Sequence, residues 1–359
     1  MTIKPIKIKT PKGTRLIGPG QPVFVIAEMS GNHNGSFNRA LKIIDAAAAA
    51  GVDAVKLQTY TKDTITINSN ADIFRVKIKN SWLGKSLYEL YGEASTPWAW
   101  QPKLKKYAEK KGVLVFSTPF DHTAVDFLEK MNVQLYKVAS FEVVDIPLLK
   151  KIGRTKKSVI MSRGMANLAE IKLAIKTLKE NGCPQVALLH CVSSYPAKPA
   201  QMNLKTIPDL VKKFKVVAGL SDHSLDSHGG LTVPITAVAL GAAIIEKHFT
   251  LCRADGGPDA DFSLESDELR QLVKSVREAE QSLGRPTYGA KGIEQENIVF
   301  RRSLFAVKDI KKGEKLTPVN VRSIRPGNGL PPKYYERIIG RQAKVDIKRA
   351  TPLKWSLIK

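Results

Sequence analysis

Residues 23–35 read VFVIAEMSGNHNG. Apolar side chains run unbroken from Val23 to Ala27, the chain meets Glu28, and it then fills with Ser, Gly, Asn and His. A short continuous apolar run of this kind reads as a strand buried on both faces. An acid at the edge of such a strand loses its water, which is costly unless partners replace it. Glu28 is therefore a candidate functional group from the outset.

The same pattern recurs along the chain. Seven further runs follow: AVKLQTY (54–60), VLVFSTPF (113–120), LYKVAS (135–140), SVIMSRG (158–164), VALLHCVSSY (186–195), VVAGLSDH (216–223) and AIIEKHFT (243–250). Segments of helical period lie between most of them. In SFNRALKIIDAAAAAG (36–51), Ser36 is placed to cap the helix and Gly51 to end it. Eight two-sided strands alternating with helices predict a closed parallel (β/α)8 TIM barrel. An open doubly wound sheet is the competitor, but no G-x-G-x-x-G follows the first strand.

Two regions depart from the rhythm. The connection across residues 61–100 is much longer than a crossover helix needs, and its Trp82, Tyr88, Tyr91 and Trp98 suit either a lid over the barrel mouth or a helix packed on the rim. After Gly284 the pattern of helix and strand ends, and a turn-rich C-terminal stretch of short strands begins. The expected organisation is a barrel over 1–285 with an N-terminal hairpin, a linker over 286–300 and a small domain over 301–359.

The chain has 359 residues, 43% of them apolar, and a formal charge of +24. Residues 291–359 carry 17 Lys and Arg against 6 Asp and Glu, so the tail has its own electrostatics. The excess admits two partners, nucleic acid or an anionic small molecule. The sequence has no zinc finger, RRM signature or aromatic platform, which argues against nucleic acid. No uncharged apolar stretch is long enough for a membrane span, and Lys-rich residues 1–16 have no signal-peptide core. Cys183, Cys191 and Cys252 form no CxxC pair and are expected as reduced thiols. A cytoplasmic protein is the expectation.

Chemistry in a barrel gathers at the C-terminal ends of the strands. Here those ends carry Glu28, Lys56, Thr118, Lys137 with Ser140, Ser162, Ser193 with Tyr195, Ser221 with His223, and His248. Each alone has an ordinary reading: a lysine stem laid along apolar surface, a serine capping a helix, a satisfied core histidine. Their coincidence at all eight ends is what points to a site. His223 and His248 end neighbouring strands, so their imidazoles can converge on one divalent ion and leave positions open for substrate oxygens. Lys56 and Lys137 among the hydroxyls of Thr118, Ser140, Ser162 and Ser221 suit a phosphate and a carboxylate. Metal beside an anion pocket suggests phosphoenolpyruvate chemistry on a carbonyl partner. A Schiff-base aldolase using Lys137 or Lys56 is the rival enzyme reading.

The motifs AEMSGNHNG, VKLQTY, FSTPFD, YKVASFE, HCVSSYP, GLSDHS, EKHFT and GGPDADFS resemble, in order and over the whole barrel, the N-acetylneuraminate synthase family. FRRSLFAVKDIKKGEKL with IRPGNGLPP resembles its C-terminal antifreeze-like (SAF) domain. SGNHNGS, SWLGKSLYELY, ADGGPDADFSLE and VFRRSL are most similar to the pseudaminic acid branch. The resemblance implies a metal-dependent condensation of phosphoenolpyruvate with an open-chain acetamido sugar. The phosphate would lie near Lys56, Thr118, Lys137, Ser140 and Ser162, with Ser193 and Ser221 completing the pocket. His223 and His248 would hold Mn2+, Mg2+ or Co2+, and Glu28 would act near C2 of the enol. Glu142, Tyr195 and Asp259 would contact the sugar, and Arg325 would reach it from the partner subunit of a domain-swapped homodimer. Ser193 stands where the neuraminate branch often has Asn. Trp82, Leu83 or Phe262 would pack on the methyl group of a 6-deoxy sugar. The basic tail makes a poor flat ice-matching face, which argues against an ice-binding role.

Overall fold

A computed structural model describes residues 3–77, 82–225 and 229–359. Residues 78–81, inside the long connection, lie outside the described residues. The chain divides into two compact units, Met1–Gly284 and Arg285–Lys359.

The first unit opens with an antiparallel hairpin of β1 (Ile6–Thr10) and β2 (Gly13–Ile17). Eight parallel strands then close into a barrel: β3 (Phe24–Glu28), β4 (Ala54–Thr59), β5 (Leu114–Pro119), β6 (Leu135–Val138), β7 (Ser158–Ser162), β8 (Val186–Cys191), β9 (Val217–Asp222) and β10 (Ile244–His248). Neighbours in sequence are neighbours in space, and β10 closes the ring by pairing with β3, with His248 opposite Glu28. The predicted (β/α)8 barrel is thus the observed fold of this unit.

Strand alternation sorts the side chains into two sets. Val25, Ala27, Val55, Leu57, Val115, Val138, Val159, Met161, Leu188, Ala218 and Leu220 face outward and pack with helix residues such as Ile43, Ile44, Leu148, Ile152 and Leu272. Phe24, Ile26, Ala54, Leu114, Phe116, Leu135, Ile160, Ala187, Leu189, Val217 and Ile244 face inward and fill the barrel. Ile6, Ile8 and Ile17 of the hairpin join that inner cluster, so β1 and β2 seal the end of the barrel where the strands begin. Inward positions nearer the strands' C-termini are polar, and the interior changes character from hydrocarbon to charge along its axis.

The helix over Phe37–Ala50 begins and ends as its sequence dictates. Ser36 accepts from Arg39 N, and Gly51 terminates it at φ 82°, a conformation that glycine adopts without steric cost. The long connection contains the short helices Lys62–Ile65 and Leu87–Ala94. Trp98 and Tyr91 are rim residues: Trp98 donates to Tyr60 O and stacks on Phe127, and Tyr91 meets Tyr60 edge-on. Trp82 goes to the mouth, 5.7 Å ring to ring from Tyr195, and donates to Pro258 O.

The second unit pairs β11 (Ser303–Ala306) with β12 (Val321–Ile324) around its own core of Leu304, Ile310, Leu316, Ile338, Ile347 and Leu353. Among the described residues no helix is long and apolar enough to cross a membrane.

Candidate functional site

The C-terminal end of the barrel holds a buried cluster of two carboxylates and two ammonium groups. Register places Lys56 on β4 directly beside Glu28 on β3. Lys56 Nζ lies 2.8 Å from Glu28 Oε2 and 3.0 Å from Glu246 Oε1. Lys137 Nζ, on β6 across the ring, lies 3.7 Å from the same Glu246 oxygen and donates to Ser162 Oγ at 2.7 Å. Ser221 donates to Glu246 Oε1 at 3.0 Å, while Glu28 Oε1 accepts from Ser30 N at 3.0 Å and Gln58 Nε2 at 3.3 Å. All four charges are buried.

Their protonation follows from these contacts. Burial opposes charge on Glu246, but Lys137 and Lys56, with the bonds from Lys56 and Ser221, outweigh it and hold its carboxyl at about 2. Burial raises Glu28, and the adjacent Lys56 only partly offsets that. Burial also lowers Lys137, against the pull of Glu246. Glu142, in the short turn after β6, has a buried Oε2 without a hydrogen-bond partner, and burial pushes it up to about 7.

Hydroxyls line the rest of the cradle. Thr118 Oγ1 is buried without a partner, and Ser193 Oγ donates to Ser140 Oγ at 3.0 Å. Gly164, at φ 45°, lets the loop after β7 press against them: a Cβ there would sit 2.2 Å from Ser140 Cβ and 3.1 Å from Ser193 Oγ.

The two imidazoles stand beside this cradle, with ring centroids 5.2 Å apart. His223 Nδ1 is 3.0 Å from Val192 O, which can only accept, so Nδ1 carries a proton; burial opposes charge on this ring, but Cys191, Val192 O and Asp222 outweigh it and raise its pKa. His248 Nδ1 is buried without a hydrogen-bond partner, and burial, with the neighbouring cations, keeps this ring well below its usual pKa and neutral. Two imidazoles at this spacing fit a divalent ion, which would take the place of a proton on His223 Nε2 and meet the neutral ring of His248. Among the described residues no group of three or more His, Cys, Asp or Glu is arranged to hold a metal ion, so an ion on these two imidazoles would draw its other ligands from water or substrate. Asp259 Oδ2, 3.8 Å from His248 Nδ1, also accepts from Ser30 Oγ. Tyr195 and Phe262 wall the imidazoles, Tyr195 at 4.4 Å from His223 and Phe262 at 5.0 Å from His248, ring to ring.

Glu28, Lys56, Thr118, Lys137, Ser140, Ser162, Ser193, Tyr195, Ser221, His223, His248 and Asp259 all surround this one end of the barrel. Leu83 is exposed. Arg325 is in the second unit, exposed at the end of β12. Sequence reasoning missed Glu246, the counter-ion of both lysines. The signal was present in AIIEKHFT, since period two puts Glu246 on the same inward face as His248. It also missed Cys191, whose Sγ lies 3.9 Å from His223 Nδ1, and Gln58 and Ser30, which bind Glu28.

The chain matches the NeuB family over residues 43–288 and the SAF domain over 301–359. It is 44% identical over 332 residues to a pseudaminic acid synthase of Campylobacter jejuni, covering 92% of this chain and 95% of that one. It is 38% identical over 328 residues to an N,N'-diacetyllegionaminic acid synthase of the same species, covering 90% and 97%. Its fold is similar to the crystal structure of an N-acetylneuraminic acid synthetase from Leptospira borgpetersenii, with TM-score 0.70 and 35% identity over 82% of this chain and 96% of that one. A charged cradle at the mouth of a closed barrel, matched over most of the chain by these enzymes, identifies the protein as a carbon–carbon bond-forming synthase of the NeuB family with a C-terminal SAF domain.

Proposed function

We propose that this enzyme joins phosphoenolpyruvate to the open-chain form of a 2,4-diacetamido-2,4,6-trideoxyhexose of the L-altrose type, with water, to give pseudaminic acid and phosphate. The observation that carries the reaction is the pair of buried lysines, set among five hydroxyls beside two imidazoles. The choice of sugar is supported by the 44% identity to a pseudaminic acid synthase.

In this reading Lys56 and Lys137, with Thr118, Ser140, Ser162, Ser193 and Ser221, bind the phosphate and carboxylate of phosphoenolpyruvate through charge-assisted hydrogen bonds. A divalent ion on His223 and His248, whether Mn2+, Mg2+ or Co2+, would supply Lewis-acid polarisation of the sugar aldehyde. C3 of the enol forms the new bond to the aldehyde carbon, whose oxygen takes up a proton. Water adds at C2; Glu28 accepts one of its protons and returns it to the oxygen at the former aldehyde carbon, the other leaves with phosphate, and the C2–O bond to phosphate breaks to give the C2 ketone. Glu142, Tyr195 and Asp259 hold the sugar, and Phe262 and Trp82 meet its methyl group. Arg325 of a second copy of the chain completes the sugar site in a homodimer. The enzyme works in the cytoplasm, in keeping with three free cysteines.

The test is phosphate release from phosphoenolpyruvate with a panel of amino sugars, with and without Mn2+ and after EDTA. Release is expected only with metal, and fastest with the 6-deoxy diacetamido altrose. Equal turnover of N-acetylmannosamine would remove the sugar assignment. A preference for another N-acetylated hexosamine would favour the N-acetylneuraminate or legionaminate reading, the latter supported by the 38% relative.

A further inference from the structure

One buried ion pair of the barrel takes no part in the cradle. Lys247 and Asp222 are register partners on β10 and β9, and both side chains are fully buried. Because alternation turns 221, 223, 246 and 248 inward, 222 and 247 point the other way, behind the two histidines. Lys247 Nζ lies 2.6 Å from Asp222 Oδ2 and also donates to Ser224 O. Asp222 Oδ1 accepts from Ser224 N at 2.9 Å. The three residues therefore form a closed ring of contacts whose backbone passes through His223. Gly230 packs so near that a Cβ on it would sit 3.3 Å from Lys247 Nζ.

Burying such a pair brings little net stability, since an apolar pair of similar volume often serves as well. What it fixes is geometry. Asp222 immediately precedes His223, Lys247 immediately precedes His248, and the ion pair ties the two strands together where the imidazoles emerge. Ser224, on the other side of His223, is tied to the same ammonium. We propose that the Asp222–Lys247 pair is a positioning device that sets the separation of His223 and His248 and thereby the affinity of the two-histidine site for a divalent cation. The inference rests on the reading that these imidazoles hold such a cation.

The experiment titrates the metal-free full-length chain with Mn2+, following free Mn2+ by electron paramagnetic resonance. In parallel it measures phosphoenolpyruvate binding without metal. Three variants are compared with the wild type: K247M, D222N/K247M and H223A/H248A. K247M alone strands a buried carboxylate, so D222N/K247M, which removes both charges, decides if K247M does not fold. The double variant is expected to melt cooperatively and bind phosphoenolpyruvate as the wild type does, while its Mn2+ affinity falls about 10- to 100-fold, as for other groups that orient metal ligands. Wild-type Mn2+ affinity in the folded double variant overturns the proposal. So does a parallel loss of phosphoenolpyruvate binding, which would mark general disorder of the barrel end. A wild-type chain that takes up no more Mn2+ than H223A/H248A overturns the two-imidazole reading itself, a separate result.

Discussion

Glu246 shows how a single side chain sets the working range of its neighbours. Lys137 must be protonated to bind an anion, burial lowers its pKa, and Glu246 opposes that. Activity is thus lost as pH rises through the Lys137 pKa. In E246Q the opposing charge is gone, and the alkaline limb of kcat/KM for phosphoenolpyruvate is expected to move to lower pH. A limb that stays in place would show that Glu246 does not hold Lys137 charged. K137M should lower kcat/KM about 10²- to 10³-fold, the usual cost of a lost charge-aimed donor. No pyruvate adduct should be trapped by borohydride, since Lys137 is an anion ligand in this reading and not a nucleophile. His33 makes a different prediction, about stability. It is buried, accepts from Gly35 N at Nδ1, and contacts Thr96 Oγ1 at Nε2, so the fold holds it neutral with a pKa of about 4. The unfolded chain binds the extra proton from pH 6.5 down to 4, so the contribution of His33 to folding stability falls across that window and is constant below it. The loss from this residue is expected to reach about 3 kcal/mol, read as the difference between wild type and H33Q in the change of urea-unfolding free energy from pH 7 to pH 4.

Elements place these residues by register rather than by local propensity. The loop after β7 illustrates it. Gly164 adopts φ 45° and brings its backbone against Ser140, so G164A adds both strain and a collision at 2.2 Å. The expected result is a raised KM for phosphoenolpyruvate with the barrel still folded, read by steady-state kinetics and circular dichroism. An unchanged KM would mean that the Ser140–Ser193 hydroxyl pair is not part of the anion site. The helices, strands and Gly51 terminus follow directly from apolar period and cap chemistry. The fate of the aromatic residues in the long connection does not. Trp98 and Tyr91 pack on the rim while Trp82 meets Tyr195, and nothing in their spacing separates the two groups, because both are amphipathic rings on short irregular segments.

At the scale of the whole molecule, each unit carries its own hydrophobic core. Removal of residues 285–359 is therefore expected to leave a barrel that melts cooperatively. If a second copy supplies Arg325 to the sugar site, the same truncation abolishes phosphate release, and R325A lowers turnover in the full chain. Full turnover by the truncated barrel would confine the reaction to one unit.

Sequence alone determined the barrel, because two-sided apolar runs alternating with helices leave few ways to bury their surface, and it placed lysines, hydroxyls and imidazoles at the strand ends. The tertiary structure decided which charges meet. Glu246 pairs with both Lys56 and Lys137, and Asp222 pairs with Lys247, through the stagger of strands around a closed ring. Alternation fixes the face on which a side chain lies, but not the height at which it meets a neighbour two strands away; only closure of the sheet sets that height.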